Sequence, residues 1–166
     1  YRQYGDVQLL AEHYDAMKKY INFLETKVDK ANGILNEGPL GDWLSPEGNK
    51  NDNTLFWMTY FAYDLDIMSK MAEALGKTED AKAFLQRSSE IKKTFNEVYV
   101  DKSSHRTVKS GIKTGFMGAP NEVDSRGKSD KGELIDTQAS YAIPLALGTF
   151  DAQNKTFDII CLTIPT

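Results

Sequence analysis

The sequence predicts an all-α fold built from antiparallel helical hairpins. Three observations carry that expectation. Apolar residues recur at alternating spacings of three and four over three long stretches. Stop and start signals separate the second and third of these stretches by only a few residues. Only one short stretch, Phe157–Thr166, has the composition of a strand.

The first helix is expected over 7–29, where Leu10, Tyr14, Met17, Ile21, Leu24 and Val28 fall on one face. Asp6 is placed to cap its start and Asn32-Gly33 to close its end in a left-handed turn. A second helix is expected from Thr54 to about Leu75, with Phe56, Tyr60, Tyr63, Ile67, Met71 and Ala74 on its main face. Leu55, Met58, Leu65, Met68 and Leu75 widen that surface, so more than one neighbour should pack against it. Gly76 supplies a stop, and Thr78 is placed to cap a third helix, about Glu79 to Val98. In that helix Ala81, Leu85, Ser88, Ile91, Phe95 and Val98 are in register. Glu79 and Asp80 near its start and Lys92 and Lys93 near its end would complement the helix dipole. So short a link makes helices two and three an antiparallel hairpin.

Residues 100–135 lose this periodicity and read as an irregular excursion or short hairpin. A fourth helix is expected from Asp136 through Gly148, kinked or broken by Pro144. Phe157–Thr166 is apolar and β-branched, with the composition of a buried strand. The expected organisation is therefore a partial helical-hairpin domain over 1–150 and an irregular tail over 151–166. No internal repeat emerges, which argues against a helical solenoid.

Charge and composition exclude several classes. A net charge of −4, with both signs interleaved, gives nucleic acid no basic stripe to bind. No window approaches the roughly 18 consecutive apolar residues of a membrane span, so no membrane partner is expected. His13, His105 and Cys161 are too scattered to ligate a metal, and a single cysteine forms no internal disulfide. Phosphate-cradling, dinucleotide-binding and nucleophile-elbow glycine motifs are missing, and no cofactor is expected. The compartment is not fixed by any signal in the sequence. The chain opens on Tyr1, which implies either a removed leader or a piece of something longer.

Chemistry is concentrated in one loop, Gly38-Pro39-Leu40-Gly41-Asp42-Trp43-Leu44-Ser45-Pro46. Its two glycines and two prolines hold the backbone in turns that cannot continue a helix. Within that frame Asp42 offers a charged acceptor to hydroxyls, and Trp43 offers a flat ring to the C–H face of a sugar. Trp57 and Phe61, one turn apart on the next helix, could line a cleft beside Trp43. The structural alternative makes Trp43 a core plug and gives Asp42 to backbone donors. Asp52 and Asp136 sit where helix caps belong. Glycoside hydrolysis needs two carboxylates about 5–9.5 Å apart, and no such pair identifies itself here.

Several of these stretches together resemble the catalytic barrel of bacterial α-L-rhamnosidases. They are Tyr20 to Leu24, Leu35-Asn36-Glu37-Gly38-Pro39-Leu40-Gly41-Asp42-Trp43-Leu44, and Thr54 to Tyr63. The stretch from Ala72 to Asn96 is similar to a hairpin widespread in six-hairpin glycosidases, and Asp136-Thr137-Gln138-Ala139-Ser140-Tyr141-Ala142 to a following helix. The resemblance covers about residues 5–150, and the Gly41-Asp42-Trp43 loop is its specific part. It implies part of an (α/α)6 toroid and hydrolysis of terminal rhamnosyl linkages with inversion, on a carbohydrate substrate. It carries Asp42 and Trp43 over as a sugar-binding wall, to which the helical spacing above adds Trp57 as a third substrate-binding candidate. It carries over no catalytic residue, because the family's Asp- and Arg-rich acid motif is not found in Tyr1–Asp6 and its base comes later in the barrel. On this reading the chain is a middle segment, inactive alone, able to self-associate through the apolar surface of 54–75. The alternatives are another six-hairpin glycosidase or a non-enzymatic helical interaction module.

Overall fold

The computed structural model describes residues 5–36, 50–112, 114, 130–152 and 154. Among these are four helices: α1 (Gln8–Thr26), α2 (Asn53–Ala74), α3 (Thr78–Tyr99) and α4 (Gln138–Ala146). Extended pairing among them is limited to single antiparallel bridges, Val28 to Leu35, Val100 to Thr107 and Val108 to Leu134.

α2 and α3 pack along their lengths as the expected antiparallel hairpin. The link is set by Gly76, whose φ of +70° lies in the left-handed region that favours glycine. The Gly76 N–H donates to the Glu73 carbonyl at 3.0 Å and the Lys77 N–H to that of Ala72 at 2.8 Å. This crossed pair satisfies two carbonyls that the end of α2 would otherwise leave open. Thr78 is not the cap of α3. It is the first helical residue, and the capping position belongs to Lys77, which makes no side-chain bond. Glu79 and Asp80 occupy the first turn as expected, but no basic residue lies in the last. Lys92 instead reaches across to Asp66 on α2 at 2.6 Å.

The buried face of α2 differs from the expected one. Leu55, Trp57, Met58, Phe61, Ala62, Leu65, Met68, Met71 and Ala72 form the core face. Phe56 and Ile67 are only partly buried, and Tyr60 is 51 % exposed. Packing against α1, α3 and α4 buries most of the apolar residues of α2. On α3 the core uses Phe84, Ser88, Ile91, Phe95 and Tyr99, while Leu85 faces solvent. Small polar residues let the two backbones approach: Ser88 Oγ donates to the Ala62 carbonyl at 3.1 Å and Ser69 Oγ to that of Ala81 at 2.8 Å.

α1 lays Tyr14, Ile21 and Leu24 on the hairpin. Asp6 does not hold the capping position, which belongs to Val7 without a side-chain bond; from one residue further back it accepts the Gln8 N–H at 2.8 Å. The helix ends at Thr26, well before Gly33, whose φ of +71° turns the next segment instead. Two ion-pair contacts fix α1 beside α3. Arg87 grips Glu25 with two nitrogens at 2.7 and 2.9 Å, and Lys18 meets Asp80 at 2.7 Å.

α4 is shorter than expected. Asp136 neither starts nor caps it. Thr137 does, in a reciprocal capping box with Ser140. Asp136 sits at φ +53° and accepts instead from the Arg106 guanidinium and from Tyr141 OH, the latter at 2.7 Å. Pro144 lies within the helix, which stops at Ala146, two residues on. Phe150 then packs edge-on against Phe95 with ring centres 5.6 Å apart. The expected strand at Phe157–Thr166 lies outside the described residues.

Candidate functional site

Both of the longest helix connections leave and re-enter at one end of the α2–α3 hairpin. The chain passes out of the described structure at Asn36 and returns at Lys50, just before α2. It does so again beyond Ile112, returning at Asp130. The start of α2, the end of α3 and the start of α4 converge there, joined by a buried network of hydroxyls around one carboxylate.

That carboxylate is Asp52, 6 % exposed. Its Oδ1 accepts the Thr54 N–H at 2.9 Å and Thr54 Oγ1 at 2.6 Å. Its Oδ2 accepts the Ser110 N–H at 2.8 Å and Ser110 Oγ at 2.7 Å. Tyr99 OH donates to Thr54 Oγ1 at 2.7 Å. Burial, with Asp52 nearby, holds the Tyr99 phenol well above its ordinary value, so it stays a donor. An ionised carboxylate has about four acceptor sites, and Asp52 has four donors. It is expected to cap α2 and does so.

A second cluster adjoins it. Thr107 Oγ1 and Ser140 Oγ lie 2.7 Å apart, and Ser140 Oγ donates to the Thr137 carbonyl at 2.8 Å. Thr137 Oγ1 donates in turn to Asn51 Oδ1. Asn53 Nδ2 donates to Thr114 Oγ1 at 3.0 Å. Gly111 closes the base of the 113–129 connection, because a Cβ there would stand 2.8 Å from Lys131 Cβ.

Of the sugar-binding residues expected from the sequence, Asp42 and Trp43 lie outside the described residues. Trp57 stands one turn into α2 and is 5 % exposed, and Phe61 below it is 1 % exposed. Other carboxylates at this end already carry partners: Asp136 has Arg106 and Tyr141, and Glu133 has Lys109 at 2.9 Å. Asp64, whose carboxyl is pushed up by burial, lies three turns along α2 from Asp52 and so belongs to the helix body. Among the described residues no three His, Cys, Asp or Glu side chains come together as a metal site. The network of Thr54, Tyr99, Ser110, Thr107 and Ser140 has no counterpart in the sequence reading. Only Asp52, as a cap before Thr54, was signalled there.

Packed helical hairpins with long connections gathered at one end define an all-α hairpin domain fit to carry a site on its connections. Comparison with known proteins narrows this class. A family model for the bacterial alpha-L-rhamnosidase six-hairpin glycosidase domain matches residues 1–159, and the chain belongs to that family. An alpha-L-rhamnosidase of Formosa agariphila is 26 % identical over 93 % of this chain and 14 % of its own length. One of Streptomyces avermitilis is 31 % identical over 70 % of this chain and 11 % of its own. The chain thus spans roughly an eighth of the length of the curated relatives it matches. Among solved structures, alpha-L-rhamnosidase from Dictyoglumus thermophilum superposes with a TM-score of 0.69 at 26 % identity, over 96 % of this chain and 16 % of that one. The Streptomyces avermitilis enzyme complexed with L-rhamnose gives 0.67 at 22 %, over 96 % and 12 %, which shows the fold alone. The helices described above are accordingly hairpins of an (α/α)6 toroid.

Proposed function

We propose that this chain contributes a sugar-binding wall to an α-L-rhamnosidase that hydrolyses terminal rhamnosyl linkages with inversion. The observation that carries the reading is the family match over residues 1–159, which spans the Gly41-Asp42-Trp43 loop. Trp43 stacks on the apolar face of the rhamnosyl ring, and Asp42 accepts from its hydroxyls. Trp57, 5 % exposed near the start of α2, is the third residue assigned to this wall. The carboxylates that transfer protons are supplied from outside the chain, so the isolated chain is expected to show no turnover of aryl α-L-rhamnosides.

Stacking on Trp43 contributes about 1–3 kcal/mol, the order of burying an apolar side chain. A hydroxyl bonded to ionised Asp42 contributes about 1.5–3 kcal/mol. In the intact enzyme, Trp43→Ala and Asp42→Ala should each lower kcat/KM by roughly ten- to a hundred-fold while folding survives. Steady-state kinetics with an aryl α-L-rhamnoside tests this. A Trp43→Ala protein that unfolds, beside a Trp43→Phe protein with full activity, would reduce the indole to packing.

A further inference from the structure

Asn51, Asp52 and Asn53 are consecutive, and their side chains reach two separate parts of the chain. Asn51 Oδ1 accepts from Thr137, the cap of α4. Asp52 Oδ2 takes both donors of Ser110, at 2.8 and 2.7 Å, and Asn53 Nδ2 donates to Thr114 at 3.0 Å. A helix cap needs a single side-chain oxygen. Asp52 Oδ1 already caps α2 through the Thr54 N–H, so Oδ2 and the two asparagines do something other than start the helix.

What they do is fix where the chain re-enters α2. The 37–49 connection ends at Lys50, one residue before this triplet. The triplet's partners lie on the segment leading into the second long connection and at the start of α4. Ser110 is 8 % exposed and Thr137 4 % exposed. Sliding the triplet would strand their buried donors, a state folded chains avoid. A displacement of about 1 Å in a binding group can cost on the order of a hundred-fold in rate, so the root of a binding loop is worth holding firmly.

We propose that Asn51-Asp52-Asn53 is a positioning triplet for the rhamnosyl-binding end. The two bonds that Ser110 donates to Asp52 Oδ2 set the root of the 37–49 connection, and sugar affinity depends on them although none of these side chains meets the sugar. This role rests on the sugar-binding reading given above.

The test compares three variants of the intact enzyme by kcat, KM and thermal stability, with an aryl α-L-rhamnoside as probe. Asp52→Asn keeps an oxygen for the Thr54 N–H but turns an amide donor towards the Ser110 N–H. Ser110→Ala removes one of the two donors and is the milder change, should Asp52→Asn fail to fold. Ser88→Ala removes the hydroxyl bonded to Ala62 in the middle of the hairpin, away from the connections. The expected result is a KM raised about ten-fold in Asp52→Asn and about three-fold in Ser110→Ala, with kcat changed less than about three-fold. Ser88→Ala should lower stability and leave KM alone. An unchanged KM in Ser110→Ala, or an equal rise in Ser88→Ala, overturns the proposal. Trp43→Ala separates the two ideas. If it raises KM while Ser110→Ala does not, the positioning role fails alone. If it leaves KM unchanged, the sugar-binding reading fails and this role with it.

Discussion

The two ends of the α2–α3 hairpin solve the same problem of joining helices by opposite means. At the Gly76 end the link is a few residues long, and backbone bonds close it. Side chains there are charged and partly exposed, with Lys18 and Tyr14 gathered on Asp80. At the Asp52 end the connections are long. Backbone bonds tie their described parts together, as from the Lys109 N–H to the Glu133 carbonyl, and buried hydroxyls converging on Asp52 join those parts to α2. A short link specifies itself, whereas a long one has to be pinned by residues distant in sequence.

The sharpest way to break this contrast is to remove the pin. Asp52→Ala takes away a helix cap and leaves the Ser110 N–H buried without its partner, while Ser110 Oγ keeps Thr54 Oγ1 at 3.2 Å. We expect a loss of about 3 kcal/mol, roughly 1 from the cap and 2 from the stranded N–H, measurable by urea denaturation. A loss within that of an ordinary surface substitution would show that the network is slack. At the other end, Gly76→Ala meets no heavy atom within 4 Å of the new Cβ, so the positive φ is its only penalty. About 1 kcal/mol is expected from thermal melts.

The smallest effect belongs to Asp80→Asn. The bonds from Lys18 first, and then from Tyr14, hold the Asp80 carboxyl below its ordinary value. A carboxyl lower in the folded than in the unfolded chain stabilises the fold above its unfolded pKa of about 3.9, and that contribution fades as pH falls through the folded value. The side chains of Lys18 and Asp80 are 38 % and 31 % exposed, so the pair is worth less than about 1 kcal/mol. Wild type should therefore exceed Asp80→Asn slightly at pH 7, with the gap closing below about pH 4. A gap that persisted in acid would mean the asparagine disturbs packing rather than charge.

What the sequence revealed divides along the same line. The helices, their hairpin pairing and Gly76 were legible because each depends on neighbours within a few residues. Asp52 as a cap was legible for that reason too. The face of α2 was not. A helix apolar on several sides has no single stripe, and Trp57 and Phe61 proved to be core while Tyr60 faced out. On α3, Phe84 and Leu85 competed for one inward position one residue apart, and the aromatic took it. Thr78 and Asp136 have the chemistry of caps, but Lys77 and Thr137 hold the geometry. The hydroxyl network was invisible, since Tyr99 meets Thr54 across 45 positions and Ser110 meets Asp52 across 58. Threonine and serine at such distances carry no mark of their eventual partners. Asp42 and Trp43 were singled out by their loop and by the resemblance that runs through it, and remain a proposal.

The equal length of the two long helices has an electrical consequence. Each has 22 residues, so the two ends of the hairpin stand about 33 Å apart. At physiological ionic strength exposed charges are screened over about 8 Å, so some four screening lengths separate Lys77, Glu79 and Asp80 from Asp52. The Gly76 turn is electrostatically silent towards the opposite end. A dye, an affinity handle or a reversed charge placed on Lys77 or Glu79 would leave the field around the connections unaltered, which makes that turn the natural point from which to observe the molecule.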